Sequence, residues 1–289
     1  MKKILLFLGC LALSAQSVFA VQMSGDVKAK YHLFWDDEFH HWMKTEANIR
    51  MDHAFSDGWV VANLRGWGYD SSSTGIDLDK AYIGYMAYAD SSKSLSFEFG
   101  KNRLEHMFDS KVQFDSHFTG VHGSCQYRTP RGHKFVVHGG PFVLDTTKQE
   151  FGFLFEGAAS AFVFIPITLK YSHTYWERSF AISQFSLQCE VLNGLAYAAF
   201  LINHHGSDCG YYVGYTYGKI FQARDWLVDV NFQYMEKQIV PYWDRKGVRT
   251  GIQMKGMYAL NNNLSLEIKD DIDFKCENNK LSIGAIYTW

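Results

Sequence analysis

The sequence predicts an all-β protein, a transmembrane antiparallel β-barrel of about sixteen strands, with fourteen or twelve left open by the middle of the chain. Three observations predict it. Apolar and polar residues alternate with a period of two along most of the chain, which puts one residue type on each face of a strand. Of 289 residues, 17% are aromatic (23 Phe, 17 Tyr, 8 Trp) and only 4 are Pro, a composition suited to unbroken ladders with aromatic ends. The longest apolar stretch, 157–169, is interrupted by Pro166 and falls short of the roughly 20 residues that a spanning helix needs. The apolar and charged fractions, 47% and 20%, exclude a disordered chain. A net charge of −2 gives no electrostatic footprint for nucleic acid.

The first element is a leader. Lys2 and Lys3 precede an apolar run over 4–13, and Ser17-Val18-Phe19-Ala20 places small or aliphatic residues before a cleavage point. This is the layout of a secretory signal peptide over 1–20, leaving 21–289 as the exported barrel and the cell outer membrane as its destination.

The strands follow. In the first, Val27, Ala29, Tyr31, Leu33 and Trp35 oppose Asp26, Lys28, Lys30 and His32; in the second, Ala47, Ile49 and Met51 oppose Glu46, Asn48, Arg50 and Asp52. Near the C-terminus, Trp226, Val228, Val230, Phe232 and Tyr234 oppose Asp229, Asn231 and Gln233, and Val248, Ile252, Met254 and Tyr258 oppose Arg249, Gln253 and Lys255. Then Leu264, Leu266, Ile268, Ile272 and Phe274 oppose Glu267, Lys269, Asp271 and Asp273, and Leu281, Ile283, Ala285, Tyr287 and Trp289 oppose Lys280, Ser282 and Thr288. Candidate strands begin near Gln22, Met43, Gly58, Ile76, Ser94, Phe118, Lys134, Glu150, Ala161, Phe180, Leu195, Gly210, Trp226, Gly247, Asn263 and Lys280. Compact turn chemistry at Ser56-Asp57-Gly58, Thr129-Pro130-Arg131-Gly132 and Asn261-Asn262 alternates with longer connections at 36–42, 102–117 and 236–246, as an even-stranded barrel with both termini on one side requires.

Several motifs together resemble those of Gram-negative outer-membrane porins: Ser24-Gly25-Asp26-Val27-Lys28-Ala29-Lys30-Tyr31, Ser56-Asp57-Gly58-Trp59, Leu78-Asp79-Lys80-Ala81-Tyr82, Phe99-Gly100-Lys101, and the terminal strand ending in Trp289. The resemblance implies a passive diffusion channel for small hydrophilic solutes, no enzyme and no cofactor. It implies that Tyr287 and Trp289 belong to the signal read by the barrel-assembly machinery, whose usual last residue is Phe, and that outer-membrane lipid surrounds the barrel. It also implies a homotrimer as the assembly, although no residue marks an interface. The third outer loop of such channels folds inward, so the constriction candidates are Arg103, Glu105, Asp109, Lys111 and Asp115 within 102–117, facing a basic wall of Lys28, Lys30, Arg50 and Arg65. Lumen charges of both signs point to weak charge selectivity.

Four cysteines follow the leader: Cys125, Cys189, Cys209 and Cys276. Their spacing matches no zinc pattern. Cys125 and Cys189 fall within strands with lipid-facing phase, while Cys209 and Cys276 fall at outer loops, where they are candidate disulfide partners. Such cysteines are similar to those of disulfide-linked envelopes in chlamydia-like bacteria, and that likeness implies such a source. Adjacent histidines, His40-His41 and His204-His205, point to opposite faces of a strand and form no ready metal site. An alternative function is a barrel-type lipid hydrolase through His205 and Ser207, two residues apart. Another is a structural or adhesive barrel with a plugged lumen.

Overall fold

A computed structural model describes residues 21–35, 39–70, 73–103, 117–144, 150–162, 164–176, 180–206, 208–236, 239, 250–274 and 279–289. Sixteen antiparallel strands close into a single ring: β1 (Gln22–Trp35), β2 (Phe39–Phe55), β3 (Gly58–Tyr69), β4 (Thr74–Ala89), β5 (Lys93–Arg103), β6 (His117–Arg128), β7 (Lys134–Leu144), β8 (Phe151–Phe162), β9 (Pro166–Trp176), β10 (Phe180–Val191), β11 (Gly194–Asn203), β12 (Cys209–Gly218), β13 (Trp226–Met235), β14 (Thr250–Ala259), β15 (Leu264–Asp273) and β16 (Asn279–Thr288). Each strand pairs with its sequence neighbours, and β1 pairs with β16 from Asp26↔Thr288 to Trp35↔Asn279. Trp289 finishes the seam, exchanging backbone hydrogen bonds with Gly25 at 3.2 and 3.0 Å. The closed ring leaves no free strand edge, the condition for a sheet in a medium that offers its backbone no partners.

One end of the ring carries the start of β1, the end of β16 and the compact turns, such as Ser56-Asp57 and Leu192-Asn193, and is called the turn end. Its turns need unusual backbone: Leu192 and Asn193 both have positive φ, at 50° and 60°, as a two-residue hairpin demands. The opposite, loop end carries the longer connections.

The two faces are sorted as the alternation predicts. Val27, Tyr31, Ile49, Ile83, Phe99, Phe155, Phe185, Val230 and Ile268 point outward and are exposed. Aromatic residues ring both rims, with Tyr127, Tyr217, Trp226, Tyr258 and Tyr287 at the turn end and Trp35, Phe39, Phe151 and Tyr211 at the loop end. Such girdles place amphipathic rings at a membrane–water boundary. Cys125 and Cys189 share the outward face with their cross-strand partners Val137 and Ala196.

The structure corrects several sequence expectations. The ninth strand begins at Pro166, not Ala161, because β8 runs unbroken to Phe162 and Pro166, lacking an N–H, can open a strand but not continue one. Cys209 is not in a loop. It starts β12, pairs with Ile202, and its N–H donates to Glu236 Oε2 at 2.7 Å. His205 lies in the turn after β11, its N–H bonded to Asn203 Oδ1 at 3.0 Å, so it is not a strand residue projecting beside a nucleophile. Asn102 and Arg103 belong to β5 and His117 to β6. The leader 1–20, Cys276, Ser207, and Glu105, Asp109, Lys111 and Asp115 lie outside the described residues.

The barrel interior is also less uniformly polar than the alternation suggests. Phe118, Phe142, Leu154, Ile182, Leu201, Tyr212 and Met235 all lie on inward positions of β6–β13 near the loop end, and each is at most 4% exposed. Ile239, from the connection after β13, is fully buried and completes the cluster. An inward apolar patch left bare would be wetted at about 25 cal/mol per Å², and this connection supplies part of its cover.

Candidate functional site

The inner wall is built by register. Residues directly opposite on antiparallel strands share a face, so Lys30↔Lys44 on β1/β2 and Lys255↔Lys269 on β14/β15 are like-charge pairs side by side on the inside. They line one recess of about 500 Å³ together with Lys28, His32, Glu46, Asp229, Gln253, Glu267, Lys280 and Ser282. Gly284 sits between the lysine pairs, opposite Lys30 and Glu267. A Cβ there would come within 2.6 Å of the Ala29 carbonyl and 2.7 Å of Lys30 Cγ, so glycine is what lets the Lys30 chain lie down.

Like charges directly opposed destabilise a sheet by a few tenths of a kcal/mol or more, and acids interleave to offset them. Glu267, only 7% exposed, is bridged by Lys30 and by Lys255, the latter at 3.2 Å. Lys44 pairs with Glu46 at 3.1 Å, Lys28 with Asp26 at 3.1 Å, and Lys269 with Asp271 at 3.4 Å. Lys280 lies over the Trp42 ring at 5.9 Å, and His32 Nδ1 meets Ser282 Oγ at 2.7 Å. Asp229 is held by the Tyr197 hydroxyl at 2.9 Å and by that of Thr216. Within the recess six lysines face three carboxylates, a modest positive excess at mid-height of the barrel.

Lys28 and Lys30 therefore sit together in this recess, but Arg50 and Arg65 do not. Arg50 Nε binds both oxygens of Asp52 at 2.9 and 2.8 Å, nearer the turn end. Arg65 faces Asp79 at 3.8 Å, where a bulge between Asn63 and Leu64 turns Asp79 inward to accept from Asn63 Nδ2 at 3.0 Å. Lys44 is the wall residue that sequence reasoning missed, although it shares the even-numbered phase of Glu46 and Arg50.

Half-way round the ring, on β5–β8, the inner wall carries a different set. Glu98, His122, His138 and Glu156 form a row: His122 Nδ1 stands 3.8 Å from Glu98 Oε2, His122 Nε2 stands 3.1 Å from His138 Nδ1, and His138 Nε2 stands 3.6 Å from Glu156 Oε2. The lumen wall thus has three parts, a lysine-rich side, an imidazole–carboxylate side and the apolar cluster.

Outside the barrel, Ser183 Oγ is within 2.9 Å of His204 Nε2, 3.0 Å of His173 Nδ1 and 3.4 Å of the Tyr171 hydroxyl. Its register with His173 and Ile202 places it on the outward face near the loop end. Among the described residues neither of these imidazoles makes an ion pair with a carboxylate.

Comparison with solved structures gives the same architecture. The chain is similar to OprB of Pseudomonas putida, with a TM-score of 0.65 at 12% identity over 98% of this chain and 97% of that one. It is similar to the porin of Rh. blastica, with a TM-score of 0.61 at 10% identity over 93% and 100%. It is also similar to OmpF of Salmonella typhi, solved with daunomycin, with a TM-score of 0.63 at 11% identity over 93% and 97%. No protein-family model and no curated sequence matches the chain. At these identities the likeness establishes the porin fold, and none of these matches supports a chlamydia-like source.

Proposed function

We propose that this protein is an outer-membrane diffusion channel for small hydrophilic solutes, weakly charge-selective and tilted toward anions along its lysine wall. The observation that carries the proposal is the sorting of faces in a closed sixteen-strand ring: apolar and aromatic outside, charged inside. A ring of that size leaves an aqueous interior, and its outer band asks for lipid. The structural likeness to porins supports the reading. Selectivity is weak because Lys28, Lys30, Lys44, Lys255 and Lys269 each have a carboxylate within ion-pair distance, and paired charges leave only a residual field for a passing ion.

Lys28 and Lys30 form the basic wall in this proposal together with Lys44, Lys255, Lys269 and Lys280, while Arg50 and Arg65 line the inner face apart from it, paired with Asp52 and Asp79. The segment 102–117, with Arg103, Glu105, Asp109, Lys111 and Asp115, is proposed as its constriction. Export by the leader 1–20, recognition of Tyr287 and Trp289 by the assembly machinery, and a homotrimeric state belong to the same proposal. Stepwise single-channel currents from the folded protein in planar bilayers test it; a heat-modifiable, folded sample that never conducts overturns it.

A second reading has one observation in its favour. The 2.9 Å contact of Ser183 with His204 on the outward face is the pairing that a barrel-borne lipid hydrolase needs, moved from His205 and Ser207. Lipid hydrolysis abolished by Ser183→Ala would establish it, and hydrolysis unaffected by that change would end it.

A further inference from the structure

The row of Glu98, His122, His138 and Glu156 poses a problem of proton arithmetic. A neutral imidazole has one N–H and one lone pair. The 3.1 Å contact between His122 Nε2 and His138 Nδ1 requires one of these nitrogens to donate. If His122 donates, its Nδ1 turns a lone pair toward the Glu98 carboxylate at 3.8 Å. If His138 donates, its Nε2 turns a lone pair toward the Glu156 carboxylate at 3.6 Å. With neutral rings, one imidazole always sets a lone pair against an anion. A cation held between the two inner nitrogens removes the conflict, because both outer nitrogens then carry N–H groups directed at carboxylates.

We propose that His122 and His138 form a binding site for a divalent transition-metal cation on the lumen wall, oriented from behind by Glu98 and Glu156. Metal-bound imidazoles characteristically give their other N–H to a carboxylate, which fixes the tautomer and raises the ring's basicity. Here a carboxylate oxygen stands behind each outer nitrogen, at 3.8 and 3.6 Å, on either side of the histidine pair. The spacing fits: with metal–nitrogen bonds of about 2.0–2.1 Å, two nitrogens on one ion lie about 2.9 Å apart at a right angle and about 3.3 Å apart at the tetrahedral angle. The rings, with centroids 5.1 Å apart and planes at 72°, meet at their edges and not face to face.

The fold makes this pair possible. His122 on β6 and His138 on β7 are diagonal neighbours across the ladder, since His138 sits directly opposite Ser124. Gly139 and Gly140, with φ of 153° and 159°, follow His138, and a side chain on either would strike the neighbouring backbone. Both imidazoles are reachable, with side chains 17% and 19% exposed on the inner wall. The local charge favours a cation, two carboxylates against Lys170, which also faces the pair.

Imidazole ligands suit copper, zinc and nickel in preference to calcium or magnesium. Among the described residues no group of three or more His, Cys, Asp or Glu converges to hold a metal, so water completes the shell and binding is weak enough to release. That is the condition for a site along a permeation route.

The site is tested with Cu²⁺ on the folded protein in detergent, a measurement that needs no ion current. Electron paramagnetic resonance is expected to show hyperfine splitting from two equivalent nitrogens at one copper per chain. His122→Gln or His138→Gln should remove that pattern, and Glu98→Gln should weaken copper binding about tenfold. The same two-nitrogen spectrum and affinity in the His122→Gln, His138→Gln double variant overturns the proposal. If a variant fails to fold, the wild type suffices. Zn²⁺ should protect His122 and His138 from carbethoxylation while His40 and His41 still react, and equal modification with and without zinc overturns it. The inference rests on the channel reading only for its route. A failed channel shows as absent currents with the copper spectrum intact, whereas a failed site shows as an altered spectrum whatever the currents.

Discussion

Neutralising the opposed pair Lys255 and Lys269 is the sharpest test of the lysine wall. Both face the lumen at mid-height, one directly across from the other, and the double change to Gln removes two positive charges from a recess that holds six lysines and three carboxylates. An ion on the channel axis passes these charges at a distance on the order of 10 Å. In water each contributes about 0.4 kcal/mol at that distance, or about 0.8 kcal/mol for the two. The Debye length is about 10 Å at 0.1 M salt and about 30 Å at 0.01 M, which reduces the sum to about 0.3 and about 0.6 kcal/mol. Anions lose that energy and cations gain it. The anion-to-cation permeability ratio therefore falls about threefold at 0.1 M and about sevenfold at 0.01 M, relative to the parent protein.

The assay is the zero-current potential across a bilayer with a tenfold gradient of potassium chloride, measured at both mean concentrations. Folding is expected to hold, because the change relieves a like-charge pair and Glu267 keeps its bridge to Lys30. A ratio that stays constant, or a change that fails to grow on dilution, would refute the assignment of this wall to the ion path.

Three further outcomes follow from particular residues. Ile268→Lys, on an outward and half-exposed position of β15, should cost about 2–4 kcal/mol in lipid vesicles, read from urea unfolding, although the next residue in the native chain is already Lys269 on the inside. Ile239→Ala should cost about 2–4 kcal/mol, read from the midpoint of urea unfolding, since the side chain is fully buried. Asp90, in the β4–β5 turn, is held well below the usual carboxylate range, first by the Tyr88 hydroxyl and then by the Ser92 and Lys93 N–H groups. A depressed folded-state value stabilises above the unfolded value and is lost as pH falls. The stability gap between wild type and Asp90→Ala should thus be constant from pH 7 to about 5 and shrink below about 4, as followed by acid titration of the unfolding midpoint.

The strand count and the phase of nearly every strand are legible because lipid and water impose opposite demands on alternate residues. Val27 against Lys28, or Ile268 against Lys269, leaves no choice of face. Fourteen of the sixteen strand starts fall within two or three residues of their expected positions or on them; Met43 is late for β2 and Ala161 early for β9. Ala161 misleads because its small apolar neighbours carry no alternation, and Met43 because His40, His41 and Trp42 read as loop chemistry. The site is harder. Phase tells which residues face inward but not which stand side by side, so the Lys30↔Lys44 pair needs the β1/β2 register, which depends on the length of the connection at 36–38. His122 and His138 lie 16 positions apart in sequence and meet only because the turn at 129–133 sets β6 against β7 in one register. A shift by a single residue would send one of them out to lipid.

The inward apolar cluster is where the two-faced rule fails, and its placement explains how one barrel can hold three unlike surfaces. Leu154, Ile182, Leu201 and Tyr212 occupy inward positions yet are at most 1% exposed, so this part of the inner wall is not in contact with the water that the lysine recess requires. Lysine ammonium groups and carboxylates lose several kcal/mol when moved next to such a surface without water. Segregation limits that loss: the apolar side packed on β6–β13 lies beneath Ile239 near the loop end, while the lysine recess lies on β1, β2 and β13–β16. The wetted route is thereby displaced toward the charged strands. In the proposed channel an ion passes closer to the lysines than the diameter of sixteen strands alone would bring it, and that proximity is what lets a modest excess of charge act on solutes at all.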